Sequence, residues 1–385
     1  MIRYTLPLAF VLAFCGPAIA NTLFILVTRD GHPTPIQLML MDKDQVGVLI
    51  PEKGHHEFPR EECLALLRPE PRPATRTQAQ LHLRDGQIFI GHPSPPFSKD
   101  AIHWTHPWIG HLRIPVDQVN MMKLNADPVP QSDEGYDQVV LRNGDILRGF
   151  ITSVDDGVEI EIERTTGTET TQIPWSRVSS LSLFGTRVPP TFPRAWFMDG
   201  TVASFKEINL GQDSWLTFSS HGHATGDEHK EPEPQPMREV HSIATGGDLI
   251  HPLRIDFPTD PVIRMPPTRP HTPLPRATDP TAVLGLSPIE ISGPISCSWS
   301  IPRGAVRFRT RAFLPASMQV WGNLQLVISV DEQVLSRTHL SARNPTTEID
   351  ISFSGKTLTI RLVEEANGPI QDTVVLEYPM FLLSP

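Results

Sequence analysis

Short runs in which apolar and polar residues alternate recur along the first 246 residues and predict β-strands joined by tight turns. Four of these runs end in an Asp-Gly or Asn-Gly dipeptide, at residues 30–31, 85–86, 143–144 and 199–200. Both dipeptides accept the positive φ angles of a two-residue type I′ turn, so each predicts a β-hairpin. The turn glycines lie 55 to 58 residues apart, which indicates a four-fold internal repeat.

The end of each repeat has a second shared pattern. A proline is followed by one apolar residue four positions later and by another three positions after that. The four sets are Pro59, Cys63 and Leu66; Pro115, Val119 and Met122; Pro174, Val178 and Leu181; and Pro236, Val240 and Ile243. The pattern predicts a tight turn at the proline and then a closing strand, which together favour a small barrel of about five strands. A module of this size buries little core alone, so we expect it to stack against neighbouring modules.

The last hundred residues have a different pattern, with strands at shorter intervals and no repeat. Alternating runs predict strands near residues 289–291, 305–311, 325–330, 347–353, 357–362 and 373–376. Short strands separated by turns are typical of a β-sandwich. The predicted fold class is therefore all-β, with tandem small β-barrel repeats followed by a β-sandwich.

Proline marks the predicted joints between modules. The chain has 40 prolines in 385 residues, about twice the usual frequency, and proline keeps a linker extended and semi-rigid. The segment from about 252 to 280 is expected to be extended chain that links to the last domain or packs along it. The predicted organisation is a signal peptide at 1–20, repeats at 21–68, 78–125, 136–185 and 194–246 with a disordered insertion near 220–235, a proline-rich linker at 247–280 and a sandwich at 281–385.

The repeat region, about residues 22 to 246, resembles the Sm-like or SH3-like small barrels found as tandem repeats in exported bacterial proteins. Sm-like barrels often bind RNA. This chain has 33 basic against 43 acidic side chains and a formal net charge of −10, with no basic stripe or aromatic platform for RNA. The charge equally disfavours anionic membranes. We therefore expect no nucleic-acid partner.

The C-terminal region resembles the NPCBM domain, a jelly-roll module proposed to bind carbohydrate and related to the galactose-binding-like fold. The resemblance rests on PIEISG at 288–293, ISCSWSIPRGAVRFRTRAFL at 295–314, LQLVISVDEQVLSRTHL at 324–340 and the late Asp372. Two features of the family are replaced. The glycine-histidine turn becomes Gly293 to Cys297, and the aspartate-tryptophan near the end becomes Val374-Val375. The resemblance implies a jelly roll and a glycan or polysaccharide partner.

The first twenty residues predict export. Arg3 precedes an apolar run from Thr5 to Phe14, which is too short to span a bilayer, and residues 18–20 have the small-x-small form of a cleavage site. We expect cleavage after Ala20 and a periplasmic or extracellular protein; the alternative is a lipoprotein anchored at Cys15. No later segment reaches the roughly twenty apolar residues of a membrane span.

Cleavage leaves two cysteines, Cys63 and Cys297. An oxidising compartment would allow a disulfide between them. Because they fall in different predicted domains, two isolated buried thiols are the favoured interpretation.

No motif predicts catalysis, a metal or a cofactor. The chain has no G-x-S-x-G, P-loop or dinucleotide fingerprint. The carboxylate pairs at 155–156 and 364–365 lie beside predicted turns, where Asp is favoured for local hydrogen bonding. Two groups of histidines, at 103, 106 and 111 and at 221, 223 and 229, fall in predicted loops or in the insertion. The alternative is an exported hydrolase whose residues converge only in the folded protein.

Five residues are the candidate ligand-binding set: Trp321, Asp331, Arg307, Arg309 and Arg311. Trp321 is placed at a sheet end because Pro315 precedes it and Gly322-Asn323 follows it. The three arginines alternate, so they share one strand face; the alternative is an ordinary solvated face. The predicted function is that of an exported non-catalytic binding or scaffold protein whose C-terminal domain binds carbohydrate. A purely structural module that binds another exported protein is the alternative from a different class.

Overall fold

The structure is a computed structural model that describes residues 23–30, 33–73, 78–95, 98, 100–125, 135–165, 167–211, 213–219, 231–256, 260–266, 271–365, 368 and 372–384. The protein is all-β, as the alternation predicts, with 60% strand and, among the residues just given, no helix of seven residues or more. Across these ranges, no helix is both long enough and apolar enough to cross a membrane. The predicted signal peptide, Gly31 and most of the predicted insertion lie outside the described residues.

The four repeats have one plan. The strands of the first are β1 Leu23–Thr28, β2 Thr34–Met41, β3 Gln45–Ile50, β4 Gly54–Pro59 and β5 Cys63–Leu67, and those of the second are β6 Ala79–Leu83, β7 Ile88–Pro93, β8 Ala101–His106, β9 Gly110–Pro115 and β10 Val119–Lys123. Those of the third are β11 Asp137–Leu141, β12 Ile146–Ser153, β13 Gly157–Arg164, β14 Gly167–Pro174 and β15 Val178–Ser182, and those of the fourth are β16 Arg194–Phe197, β17 Val202–Ser204, β18 Glu207–Leu210, β19 Trp215–Ser219, β20 Gln235–Pro236 and β21 Val240–Ala244. In each repeat the first strand pairs antiparallel with both the second and the last, which closes the unit on itself.

The proline pattern corresponds to a short 3₁₀ helix before the last strand of each repeat. The four helices are Arg60–Glu62, Val116–Gln118, Trp175–Arg177 and Met237–Glu239, and each begins directly after its proline. The ring holds φ near the value that such a turn needs. The eight apolar residues of the pattern are all at most 2% exposed, so the predicted closing strand and its inward residues are confirmed.

The hairpin turns differ from the prediction. Gly86, Gly144 and Gly200 have φ of 85°, 91° and 97°, but the Asp or Asn before each glycine does not have positive φ. Gly86 N–H donates to Leu83 O and Leu83 N–H donates to Gln87 O, the pattern of a three-residue loop with glycine in the bulge. The type I′ assignment was therefore wrong for these three turns, while the turn at residues 30–31 lies partly outside the described residues. The Asp or Asn side chain accepts the N–H two residues on, at 2.7 to 3.2 Å, which favours this turn.

The repeats join through their last strands, and the partners are not always neighbours in sequence. Strand β21 pairs with β5, which places the fourth repeat beside the first. Strand β10 pairs with β15, which places the second beside the third. A further bridge joins Val202 of β17 to Ile88 of β7. Each closing strand thus uses its outer edge for a second partner, which removes exposed edges.

The C-terminal region forms two sheets. Its strands are β22 Ile250–Pro252, β23 Val262–Arg264, β24 Arg276–Ala277, β25 Ile289–Ser292, β26 Ile295–Ser300, β27 Ala305–Phe313, β28 Asn323–Val330, β29 Gln333–Ser341, β30 Thr346–Ser352, β31 Thr357–Glu364 and β32 Thr373–Leu383. Three 3₁₀ turns, Gly247–Leu249, Val283–Gly285 and Ala316–Met318, complete the region. One sheet has the order β24-β25-β32-β27-β30 with β22 also on β32, and the other has the order β23-β26-β31-β28-β29. Phe308, Leu326 and Ile360 lie in the core between them.

The proline-rich segment is part of both sheets. Strand β22 pairs with β32 and β24 pairs with β25, while β23 pairs with β26 of the opposite sheet. The segment therefore packs along the last domain, one of the two expectations. A sandwich that began at residue 281 would lack three of these strands.

The repeats and the sandwich share an apolar cluster. Val27 and Leu64 of the first repeat and Trp196 of the fourth pack with Leu286 and Met380 of the C-terminal region. Since all five are buried, the two regions are in direct contact.

Candidate functional site

The arginine face of β27 lies against the first repeat. Arg309 is 0% exposed; its Nη1 donates to Thr28 O at 2.6 Å and its Nε donates to Asp350 Oδ2 at 3.1 Å. Arg307 donates Nη2 to the same carboxylate at 2.8 Å and reaches Asp30 at 3.4 Å. Burial lowers the pKa of Arg309, and the nearby Asp350 opposes this shift. These two arginines therefore connect the sandwich to the repeats.

Arg311 is the outermost of the three. It pairs with Glu377 at 3.2 Å and with Glu348 at 3.6 Å, and about half of its side chain is exposed. The alternation correctly placed the three arginines on one face. The alternation carried no information about the first repeat, which lies against this face.

Asp331 has a structural position in a turn. Asp331 and Glu332 both have positive φ, at 46° and 72°, and join β28 to β29 as a two-residue hairpin. The Asp331 carboxylate accepts the N–H groups of Lys356 and Thr357 at 3.0 and 2.9 Å. Trp321 precedes β28 and Asp331 follows it, so a strand of eight residues, about 26 Å long, separates them. The structure does not bring these two predicted residues together.

Trp321 lies at the end of the sandwich where three chain segments meet. Its side chain is 56% exposed. Two residues later, the Asn323 N–H donates to Asp372 Oδ1 at 3.2 Å, and Asn323 Oδ1 lies 2.6 Å from His339 Nε2. Asn344 in turn donates to the backbone oxygen of His339. These bonds hold together the beginning of β28, the end of β29 and the residue before β32. We call Trp321, Asn323, His339 and Asp372 the sandwich-end cluster.

Asp372 is the unusual member of this cluster. It is 3% exposed, and within the described ranges its Oδ2 is buried and has no hydrogen-bond partner. Burial raises the pKa of Asp372 to about 6; the Asn323 N–H lowers it, and Glu364 raises it further. A buried acceptor with no donor costs free energy. A ligand hydroxyl or a proton would satisfy it.

Sequence reasoning identified Trp321 at this end and missed Asn323 and His339. Asp372 entered only as a feature of the family resemblance. Nothing local marks the three polar residues as a group, because they come from strands up to 49 positions apart and are joined only by pairing.

Chemistry of other kinds has less support in the described residues. No group of three or more His, Cys, Asp or Glu side chains there is arranged to hold a metal ion. His106 is buried, bonds Thr201 Oγ1 at 2.8 Å and has a pKa lowered by burial to about 4. The histidines at 221, 223 and 229 lie outside the described residues.

The two cysteines are free and buried. Burial raises the pKa of each thiol to about 12, so neither forms a thiolate nucleophile at neutral pH. The interpretation as isolated thiols is confirmed, and a disulfide between Cys63 and Cys297 is not formed.

No protein-family model and no curated protein matches the sequence. Among solved structures, the chain is similar to tandem CBM51 modules of a family 98 glycoside hydrolase from Streptococcus pneumoniae, at 9% identity over 80% of this chain and 89% of that one, with a TM-score of 0.28. It is also similar to a CBM51 module of Clostridium perfringens GH95 in complex with methyl-galactose, at 11% identity over 25% and 69% of the two chains, with a TM-score of 0.24. A third structure, CBM51-2 with GlcNAc and INT domains of Clostridium perfringens ZmpB, has 10% identity over 71% and 44%, with a TM-score of 0.25. These TM-scores lie below 0.5, and they establish no family for the chain.

Proposed function

We propose that the protein is an exported carbohydrate-binding protein and that the sandwich-end cluster is its glycan site. The observation that carries the proposal is an exposed Trp321 two residues before Asn323, whose N–H bonds the buried carboxylate of Asp372. Among the described residues, Oδ2 of this carboxylate has no hydrogen-bond partner. Sugars have an apolar ring face and a rim of hydroxyls. An indole face packs against the former, and carboxylate, amide and imidazole groups hydrogen-bond the latter.

The geometry favours weak and selective binding. Asn323 and His339 are already oriented by their own hydrogen bond, so a ligand need not order them. Because the indole of Trp321 lies on the surface, few groups of a ligand would be buried against it. We expect dissociation constants on the order of millimolar to tens of micromolar, because association entropy opposes a shallow site.

The remainder of the chain has a scaffold role in this proposal. The repeats are small barrels of the Sm-like or SH3-like kind, a proposal supported by the pairing of the first strand of each repeat with its last. The C-terminal unit begins near residue 247, since β22, β23 and β24 pair with its sheets. The buried contacts of Arg309 then hold the sandwich in one orientation on the repeats.

A glycan array with the full-length chain tests the proposal. It should include methyl-galactose and N-acetylglucosamine, the sugars bound in two of the similar structures. We expect binding that is lost in Trp321→Ala at an unchanged melting temperature. Trp215→Ala is the matched control, because Trp215 of the fourth repeat is 44% exposed and lies outside the cluster. Equal loss in both variants, or no glycan bound by the folded protein, contradicts the proposal.

A further inference from the structure

A second candidate site is a cleft of about 490 Å³ between the first and fourth repeats. It lies where β5 and β21 pair, and it is lined by the end of β1, the 3₁₀ helix at 60–62, the segment 206–209 and residues 245–246. Its volume is within the range of about 300–1,000 Å³ that is typical of small-molecule sites.

Two half-buried arginines, Arg29 and Arg60, form the inner part of this cleft. Within the described part of the chain, Arg29 Nε is buried and unpartnered, and neither arginine forms an ion pair. Arg60 makes one long bond, from Nη1 to Asp42 O at 3.4 Å. Burial lowers the pKa of Arg60, and the nearby Cys63 and Asp42 oppose this shift. An anion in the cleft would supply the missing acceptor.

The second repeat contains an internal reference for Arg29. Arg84 has the same place before its turn, and the two backbones make the same bond: Arg29 N–H donates to Glu62 O at 2.9 Å and Arg84 N–H donates to Gln118 O at 2.8 Å. The side chains differ. Arg84 donates Nε to Asp117 O at 2.5 Å and Nη2 to Phe184 O at 2.9 Å. An arginine at this position can therefore donate its side-chain hydrogen bonds to backbone oxygens. Within the described residues, the Arg29 side chain makes no such bond.

The two clefts also differ in charge. The cleft around Arg84, between the second and third repeats, is lined by Asp100, Asp117 and Asp137 and by no other basic side chain. The cleft around Arg29 adds Arg60, Lys43 and Lys206, in a chain with a net charge of −10. Among the described residues, the Arg84 cleft thus has one basic against three acidic side chains, and the Arg29 cleft has four basic against three acidic side chains.

The acidic side chains that line the Arg29 cleft form no ion pair with its two arginines among the described residues, although the charge of Asp42 raises the pKa of Arg60. Asp42 accepts the N–H groups of Asp44 and Gln45, both at 2.8 Å, within its own turn. Glu61 and Glu207 are exposed at the rim with the two lysines. The exposed side chains therefore offer both donors and acceptors, and Arg29 and Arg60 add guanidinium donors.

We propose that the cleft between the first and fourth repeats binds a sugar-sized organic anion, a uronic acid or a sugar sulfate. Its carboxylate or sulfate accepts hydrogen bonds from Arg29 and Arg60, and its hydroxyls bond the rim. Guanidinium groups suit both oxyanions because their planar donors match paired oxygens. This site is independent of the sandwich-end cluster.

Calorimetry of the full-length chain with glucuronate, glucose 6-sulfate, glucose and inorganic sulfate tests the proposal. At least one of the two anionic sugars should bind, with an affinity that falls as NaCl is raised, and glucose should not bind at this cleft. Arg29→Gln and Arg60→Gln should each weaken binding by about tenfold or more. Arg84→Gln, the matched control, should leave it unchanged. Trp321→Ala should also leave it unchanged, which separates this site from the glycan site.

Several outcomes overturn the proposal. The proposal is wrong if neither anionic sugar binds, or if Arg29→Gln and Arg84→Gln change the affinity equally. Inorganic sulfate that binds as tightly as glucose 6-sulfate overturns the sugar-sized ligand. If Arg29→Gln does not fold, Arg29→Lys keeps the charge but removes the forked donors. Wild-type affinity in folded Arg29→Lys together with wild-type affinity in Arg60→Gln then contradicts the assignment.

Discussion

Asp350 should be one of the most sensitive positions in the protein. Its carboxylate, 9% exposed, accepts hydrogen bonds from Arg307 and from Arg309, which is fully buried. Asp350→Ala leaves the Arg309 guanidinium in the domain contact with Thr28 O, where the exposed Asp30 is the remaining nearby carboxylate among the described residues. Removing one partner of a buried ion pair costs about 3–5 kcal/mol, because the other charge remains desolvated.

Urea denaturation of the full-length chain measures this cost. Glu348→Ala is the matched control, since Glu348 lies on the same strand and pairs with the last arginine of the face in an exposed contact at 3.6 Å, where about 0–1 kcal/mol is expected. The double variant Asp350→Ala with Arg309→Met should recover part of the loss, because it removes the unpaired charge. A loss below about 1 kcal/mol for Asp350→Ala, or a loss equal to that of Glu348→Ala, would refute the buried domain contact.

Three further predictions concern the turns, the cluster and the boundary. Gly144→Val should lower the free energy of unfolding by about 1–3 kcal/mol, since φ is 91° and no atom lies near the added Cβ; an unchanged denaturation midpoint would contradict the positive φ. The pKa of Asp372 is raised to about 6 from 3.8, so the folded state binds the proton more tightly. The stability of wild type relative to Asp372→Asn should therefore fall as pH rises from about 4 to 6; denaturation curves with a pH-independent difference count against the burial. Residues 247–385 should give a cooperative melt and residues 281–385 should not, because the shorter fragment lacks β22, β23 and β24; equal melting temperatures contradict this.

Local signals were sufficient for the strands and for the repeat. The alternation and the proline pattern are set by residues within a few positions of each other, and the inward residues of the closing strands, such as Val119 and Ile243, are buried as predicted. The turn type was missed because the side chain of Asn143 bonds the N–H of Asp145. The dipeptide alone does not distinguish that loop from a two-residue turn.

The alternating pattern could not predict contacts between residues that are distant in sequence. A period of two places Arg309 on a face, but its acceptors are Asp350 on the adjacent strand and Thr28, 281 positions earlier. The pairing of the first repeat with the fourth depends on which edges meet in the folded chain. The buried Oδ2 of Asp372 is likewise a property of packing, because its nearest donor is the backbone of Asn323.

The most direct test of the glycan site is titration calorimetry with the sugar that the array selects, on wild type, Trp321→Ala, Asp372→Asn and Trp215→Ala of the full-length chain. The account predicts that binding by Trp321→Ala and by Asp372→Asn is weaker by about tenfold or more, while Trp215→Ala binds as wild type does. Wild-type affinity in both Trp321→Ala and Asp372→Asn would place the sugar elsewhere and contradict the central claim.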